Sequence, residues 1–321
     1  MSEIRLWSAT QNEAFDGLKT LWDQRRALDA DAAAYAGGMQ WKVVKDRTYL
    51  VRHQIDPATG QRRFESLGVR SPKTEAIADR FVRGREALQK KGAQIDERLR
   101  VQGAVAKAAK VGHTPLIVGD VFRALSVSPA CDHVALSGSL ALLAYETQAR
   151  ASVPSDLFAL PDNRADLDLF VGDVAIVDEV ESVLQSVDRA FHREGHGGRR
   201  FICERLSVDI YTGADLAAIG EQFYRGRHQA KFLDAAQSAP VESCIVDRSG
   251  AIAPVCVLSI ENFRALKALR TSFDDLRADA DLALDARQAE AAGQIIDMIS
   301  RPSDHVSVID ENEAEPWAPR F

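Results

Sequence analysis

Along residues 1–36, Leu6, Phe15, Leu18, Leu21, Trp22 and Leu28 recur at three- and four-residue steps, which predicts an amphipathic helix. The Gly37-Gly38 pair stops it. The period then shortens. Trp41-Lys42-Val43-Val44-Lys45 and Thr48-Tyr49-Leu50-Val51-Arg52 are β-rich, residues 56–60 read as a turn, and 63–69 resume extended structure. This pattern predicts a small antiparallel meander. Ser71-Pro72-Lys73-Thr74-Glu75 then gives a helix start, with Ser as cap, Pro at the first position and an acid in the first turn. The long charged helix runs toward Gly103 or Lys110, with Ile77, Phe81, Leu88, Ile95 and Leu99 on one side.

A further helix is expected within 113–129, with Val118, Val121, Phe122 and Leu125 inward. Strands follow at 133–136, 166–171, 200–202 and 206–210, interleaved with helices at 140–149 and 174–186. Residues 258–300 read as helical, and 302–321 as an acidic, Pro-containing mobile tail. The expected fold class is α/β (α+β): an α/β core between helical flanks, with a small β module near the front. The expected division is 1–40 helical, 41–110 hairpin and long helix, 111–257 α/β core, 258–300 helical and 301–321 tail.

Composition narrows this picture. At 46% hydrophobic and 27% charged residues, the 321-residue chain is neither disordered nor collagen-like. No apolar run reaches membrane-spanning length, and Met1–Arg5 lacks the layout of a signal peptide, so a cytoplasmic location is expected. Cys131, Cys203, Cys244 and Cys256 are scattered, which favours small buried apolar groups over a zinc site. The net charge of -7 argues, taken whole, against a simple basic nucleic-acid binder. The distribution changes that. Residues 42–110 hold 17 Lys/Arg against 8 Asp/Glu, a local +9 that leaves -16 on the remainder. A nucleic acid approaching through this N-terminal module is therefore compatible with the charge.

Three segments stand out chemically: Ser137-Gly138-Ser139, between a strand and a helix; Asp166-Leu167-Asp168-Leu169; and Val208-Asp209-Ile210, an acid within an apolar strand. Residues i and i+2 of a strand share a face, so Asp166 and Asp168 point together. Two carboxylates on one half-buried face repel unless a cation lies between them. Hard oxygen ligands of this kind suit Mg²⁺, and Asp209 could complete the set from a neighbouring strand. The Gly138-Ser139 turn offers N–H groups and a hydroxyl at a helix start, a cradle for phosphate. Each motif alone has an ordinary explanation: a helix cap, a solvated strand edge, or Asp209 paired with an arginine such as Arg200. Their ordered combination is much harder to obtain by accident.

Gly138-Ser139, Asp166-x-Asp168 and Asp209 resemble the signature of the nucleotidyltransferase superfamily with a polymerase-β-type palm. The chain is more closely similar to a bacterial family of NTP transferases. There a Trp-Lys hairpin, here Trp41-Lys42 to Tyr49-Leu50, leads into Ser-Leu-Gly-x-Arg-Ser, here Ser66 to Ser71, and then a long charged helix. The similarity covers roughly 41–290. It implies that Asp166 and Asp168 bridge two Mg²⁺ ions (Mn²⁺ being the alternative), and that Asp209 binds the metal that activates an acceptor hydroxyl. It further implies that Ser139 and the Gly138 backbone hold the β- and γ-phosphates of an NTP, whose pyrophosphate leaves. Lys267 is the first candidate for offsetting triphosphate charge, with Arg200 and Arg199 behind it. Two departures stand out. Ser139 and Asp166 lie 27 positions apart, with an insert at 147–165 expected to form a loop over the site, and in 263–269 only Lys267 keeps the basic position.

The remaining features are weaker. His192 and His196 have helical metal spacing, but Gly195, Gly197 and Gly198 argue for a hairpin loop instead. Arg225-Gly226-Arg227-His228 reads as a solvated loop rather than a nucleic-acid contact. The leading acceptor is an RNA or tRNA 3′ end reached through the basic module. A small molecule or a protein, as for antibiotic-modifying or toxin-like enzymes, is the alternative. A catalytically idle nucleotide- or RNA-binding module gains little from three clustered carboxylates. A glycosyltransferase, which can also use Asp-x-Asp, fits the Gly138-Ser139 turn and Asp209 poorly.

Overall fold

The computed structural model describes residues 3–55, 61–158, 165–195, 198–224, 226–271 and 279–300. The elements, in chain order, are β1 (Arg5–Leu6), α1 (Ala9–Ala33), β2 (Gly38–Val44), β3 (Arg47–Ile55), β4 (Arg62–Val69), α2 (Pro72–Ala108), α3 (Leu116–Leu125), β5 (Val134–Ser137), α4 (Ala141–Ala149) and β6 (Ala151–Ser152). They continue with β7 (Ala165–Val171), α5 (Ile176–Val187), β8 (His192–Arg193), β9 (Arg200–Ile202), β10 (Leu206–Thr212), α6 (Gly213–Phe223), α7 (Arg227–Ala236), β11 (Val241–Val246), β12 (Ile252–Val257), α8 (Ile260–Arg270) and α9 (Asp279–Ser300).

The central sheet has seven strands in the order β11-β12-β5-β7-β10-β9-β8. It is mixed: β7 runs parallel to β10 and antiparallel to β5, while β12 runs parallel to β5. One face buries Leu167, Leu169, Val171, Leu206, Val208 and Ile210, which join Val118, Val121, Leu142, Tyr145, Val180 and Leu184 of α3, α4 and α5 in the main core. Strand alternation puts every second residue of β7 and β10 into this core and leaves Asp166, Asp168 and Asp209 on the other face. Truncating a core residue such as Leu167 to Ala would cost about 2–5 kcal/mol.

The front of the chain follows its pattern closely. The strands β2, β3 and β4 form an antiparallel meander. The helix α2 starts at the Ser71 cap with Pro72 next, as expected, and buries Phe81 and Ile95. Trp7, Phe15, Leu18 and Trp22 pack with Ala106, Val111, Val246 and Ile252, which seats α1 and the end of α2 against the β11–β12 edge of the sheet.

Several expectations are corrected. The first helix starts at Ala9 behind a Ser8–Gln11 capping box; Leu6 lies in β1, is exposed, and pairs with Ala151. The helical period includes Leu6 because a two-residue edge strand has no period of its own. Arg227 and His228 begin α7, with Gly226 as its cap, so they are not a loop; Arg225 lies outside the described residues. His192 is on a strand paired with Ile202, with its Nδ1 3.0 Å from the Ala190 carbonyl, so the helical His192/His196 spacing does not apply. His196 and Gly197 lie outside the described residues, as do the 56–60 turn and the 302–321 tail. All four cysteines are free; Cys203 and Cys244 are buried as expected, whereas Cys131 and Cys256 are partly exposed. No helix among the described residues is long and apolar enough to cross a membrane.

Candidate active site

Backbone register assembles the site. Ser137 pairs with Asp168, Asp168 with Asp209, and Asp209 with Arg200, so one transverse row crosses β5, β7, β10 and β9. Paired residues on neighbouring strands share a face. Asp166 joins the same face two residues earlier on β7. One ligand oxygen from each of Asp166, Asp168 and Asp209 can be chosen so that all lie within 4.8 Å of one another. The Ser207 hydroxyl, opposite Asp166 on β10, donates to its Oδ1 at 2.6 Å and holds that carboxylate in place.

The Gly138-Ser139 turn closes one side. Gly138 adopts φ +66°, and a Cβ there would lie 1.8 Å from Asp168 Oδ2. The position needs glycine on both counts. The bare backbone lets the turn lie directly against the acid. Ser139 follows at the entry to α4, where its Oγ accepts from Gln288 Nε2 at 2.9 Å.

The electrostatics describe a strained anionic cluster. Burial, reinforced by the Asp166 charge, pushes Asp168 up to about 6, against the pull of Lys267. Burial also raises Asp209, opposed by Arg200. Three acids whose ligand oxygens can gather this closely, at least two of them resisting ionisation, form a donor set that a divalent cation satisfies: hard oxygens, close spacing and partial burial. The cluster therefore fits the metal expected from the sequence.

Cations ring these acids. Lys267 is buried, with its Nζ 2.7 Å from Asp285 Oδ1 on α9; burial, and then the nearby Arg270, lower its pKa. Arg270, one turn further along α8, also acts electrostatically on Asp168 and keeps its side chain 36% exposed. Arg200 Nε lies 3.8 Å from Asp209 Oδ1 and 3.3 Å from Glu194 Oε2, so the pairing with Asp209 considered from sequence is present. Arg199 is engaged by Thr212, at 3.0 Å, and by Asp215 at the start of α6. The site thus brings together Gly138, Ser139, Asp166, Asp168, Asp209, Lys267 and Arg200, and commits Arg199 to a helix cap.

Sequence alone does not single out Arg270, Asp285, Gln288 and Ser207. Arg270 is detectable in principle, at i+3 from Lys267 on one helix face. The other three carry no local signal, because only the packing of α9 and the β7–β10 register gives them meaning. Within the 147–165 insert, 151–152 form β6 and the Leu157 carbonyl accepts from Gln288 Nε2 at 2.6 Å. Residues 147–149 end α4, 151–152 pair with β1 and Leu157 is tied to α9, while 159–164 lie outside the described residues.

Comparison with known proteins agrees with this geometry. A family model described as nucleotidyltransferase matches residues 117–314. No curated protein and no solved structure matches the chain.

Proposed function

Because the chain belongs to the nucleotidyltransferase family, whose members transfer phosphorus-containing groups, we propose that it moves a nucleoside monophosphate from an NTP to an acceptor hydroxyl and releases pyrophosphate. The observation that carries this reading is the register row that gathers three carboxylates beside a glycine-serine turn. Asp166, Asp168 and Asp209 would hold the divalent metal, with Mg²⁺ favoured by the all-carboxylate set. Such a metal supplies Lewis acidity at the phosphoryl oxygens and lowers the pKa of a bound hydroxyl.

The chain's own residues do the rest. The Gly138 backbone and Ser139 hydroxyl orient the phosphates. Lys267 and Arg270, which act electrostatically on Asp168, offset part of the negative charge that the triphosphate adds there. Asp209 takes up the proton of the attacking hydroxyl. Arg200 steadies Asp209 from β9.

For the acceptor we favour RNA. The face of the β2–β4 sheet that carries Phe64 also exposes Lys42, Arg47 and Arg62, while Trp41 and Val43 lie on the opposite face, with the Arg70 guanidinium 5.3 Å from the Trp41 ring. An exposed aromatic among basic side chains suits a stacked base and a phosphate backbone. A labelled NTP incubated with total RNA and Mg²⁺ tests this. The wild type should label RNA and an Asp166→Ala/Asp168→Ala chain should not. Equal labelling, or none from either, refutes the reading, and label confined to small molecules or protein redirects the acceptor.

A further inference from the structure

Gln288 lies on α9, fully buried, one turn beyond Asp285. Its Nε2 makes two hydrogen bonds, 2.6 Å to the Leu157 carbonyl and 2.9 Å to Ser139 Oγ, and its Oε1 has no partner among the described residues. The Leu157 carbonyl fixes the sense of this arrangement. A carbonyl only accepts, so the atom of the Gln288 amide that faces it must be the nitrogen. The opposite orientation would set two carbonyl oxygens against each other in a buried site. The same nitrogen faces Ser139, whose Oγ must therefore accept. A serine hydroxyl has one proton. With one of its two lone pairs engaged by the Gln288 N–H, that proton is left to point away from Gln288, and the phosphate side of the turn is where an acceptor would lie.

We infer that Gln288 is a positioning residue that sets the polarity of Ser139, holding its hydroxyl as a donor toward the phosphates of the bound NTP. The inference rests on the nucleotidyl-transfer reading above. The Leu157 carbonyl is the reference for that polarity. The 147–165 insert thereby takes part in the site, since its carbonyl holds the amide that holds the serine. An NTP oxygen is purely an acceptor, so a serine presented as a donor is matched to it, and one free to rotate must be reoriented on binding.

Energetic coupling between Gln288 and Ser139 is the quantity to measure. Gln288→Met keeps the volume and removes the donor. Gln288→Glu, when ionised, replaces the donor with an acceptor that captures the Ser139 proton and adds negative charge beside the phosphates. Binding of each of ATP, GTP, CTP and UTP with Mg²⁺ is measured by calorimetry for both variants, for Ser139→Ala and for the double variants, alongside thermal melting. Gln288→Met should weaken binding about tenfold, the scale of one oriented hydrogen bond, and Gln288→Glu should weaken it at least as much as Ser139→Ala. In the Ser139→Ala background, Gln288→Met should change the affinity by less than about twofold, because no hydroxyl remains to orient. A merely structural Gln288 would lower affinity equally in both backgrounds, and that result overturns the inference. So does wild-type affinity in Gln288→Glu, or a Gln288→Met chain that does not fold. A wild type that binds none of the four NTPs, with Asp168→Asn no different, overturns the nucleotidyl-transfer reading as well. Wild-type binding lost in Asp168→Asn but without Ser139–Gln288 coupling overturns this inference alone.

Discussion

Removing one charge from the acid cluster should stabilise the metal-free protein while abolishing its activity. The residue is Asp168, which pairs with Ser137 on one side and Asp209 on the other and has Asp166 two residues earlier on the same face. Its carboxyl is pushed up from 3.8 to about 6. A full shift of that size corresponds to about 3 kcal/mol of folding free energy opposed by the charged form. The three acids are partly exposed, so solvent screening makes about 1–3 kcal/mol the working range. The sign follows from linkage. An acid whose pKa is raised by folding leaves the native state holding more protons than the unfolded chain between the two values, so stability falls as pH rises from about 4 to about 6 and is then level. Asp168→Asn does not titrate and escapes this loss. Urea denaturation in EDTA at pH 7.5 should therefore show Asp168→Asn more stable than wild type, with the gap shrinking as pH falls toward 4. Added Mg²⁺ should raise the wild-type midpoint and narrow the gap, because a ligand that binds only the native state stabilises it. A variant that is less stable than wild type at pH 7.5, or a gap independent of pH, would refute the reasoning that burial and repulsion are stored in this cluster.

Other substitutions probe the site's supports. Gly138→Ala should cost about 1–3 kcal/mol, from a left-handed backbone plus a Cβ driven into Asp168, and transfer activity should fall with it; melting and labelled-NTP incorporation report the two effects. Lys267→Met should destabilise the chain by about 1–3 kcal/mol, because Asp285 loses its 2.7 Å partner while Arg270, 3.7 Å away, still offsets part of its charge. Pairing it with Asp285→Leu should restore much of the stability, seen by urea denaturation, but not the activity. Arg47→Gln with Arg62→Gln should weaken RNA binding and flatten its salt dependence, by about 0.7 in log–log slope for each phosphate of a single strand that is no longer neutralised, while leaving NTP binding intact in a filter or calorimetric assay.

How far the sequence can be read follows from how local each signal is. The period-2 alternation through Asp166-Leu167-Asp168-Leu169 places both acids on one face without any knowledge of the sheet, and the β7 burial pattern agrees. The Ser71-Pro72 start of α2 is equally local, since cap, proline and first-turn acid lie within five residues. Asp209 is recognisable as a partner, but its alignment with Asp168 is a matter of register between strands about forty residues apart, which no local pattern carries. Residues 213–257 yield no element from sequence, although they form α6, α7, β11 and β12. Among them, β12 is an interior strand of the sheet, and its continuous apolar run has no alternation to reveal it. Gln288 and Asp285 read as ordinary polar positions of a surface helix. They are buried because α9 packs against α4 and α8, so their roles exist only in the folded chain.

In the proposed reaction the three-acid cluster directs attack at the α-phosphorus of an NTP. The most direct measurement supplies the same NTP labelled in turn at the α- and at the γ-phosphate, with Mg²⁺ and total RNA, to the wild type and to Asp209→Asn. The expected result is α-label retained in the acceptor, γ-label released as pyrophosphate, and neither event with Asp209→Asn. Transfer of the γ-label to the acceptor, or undiminished α-label transfer by Asp209→Asn, would contradict it.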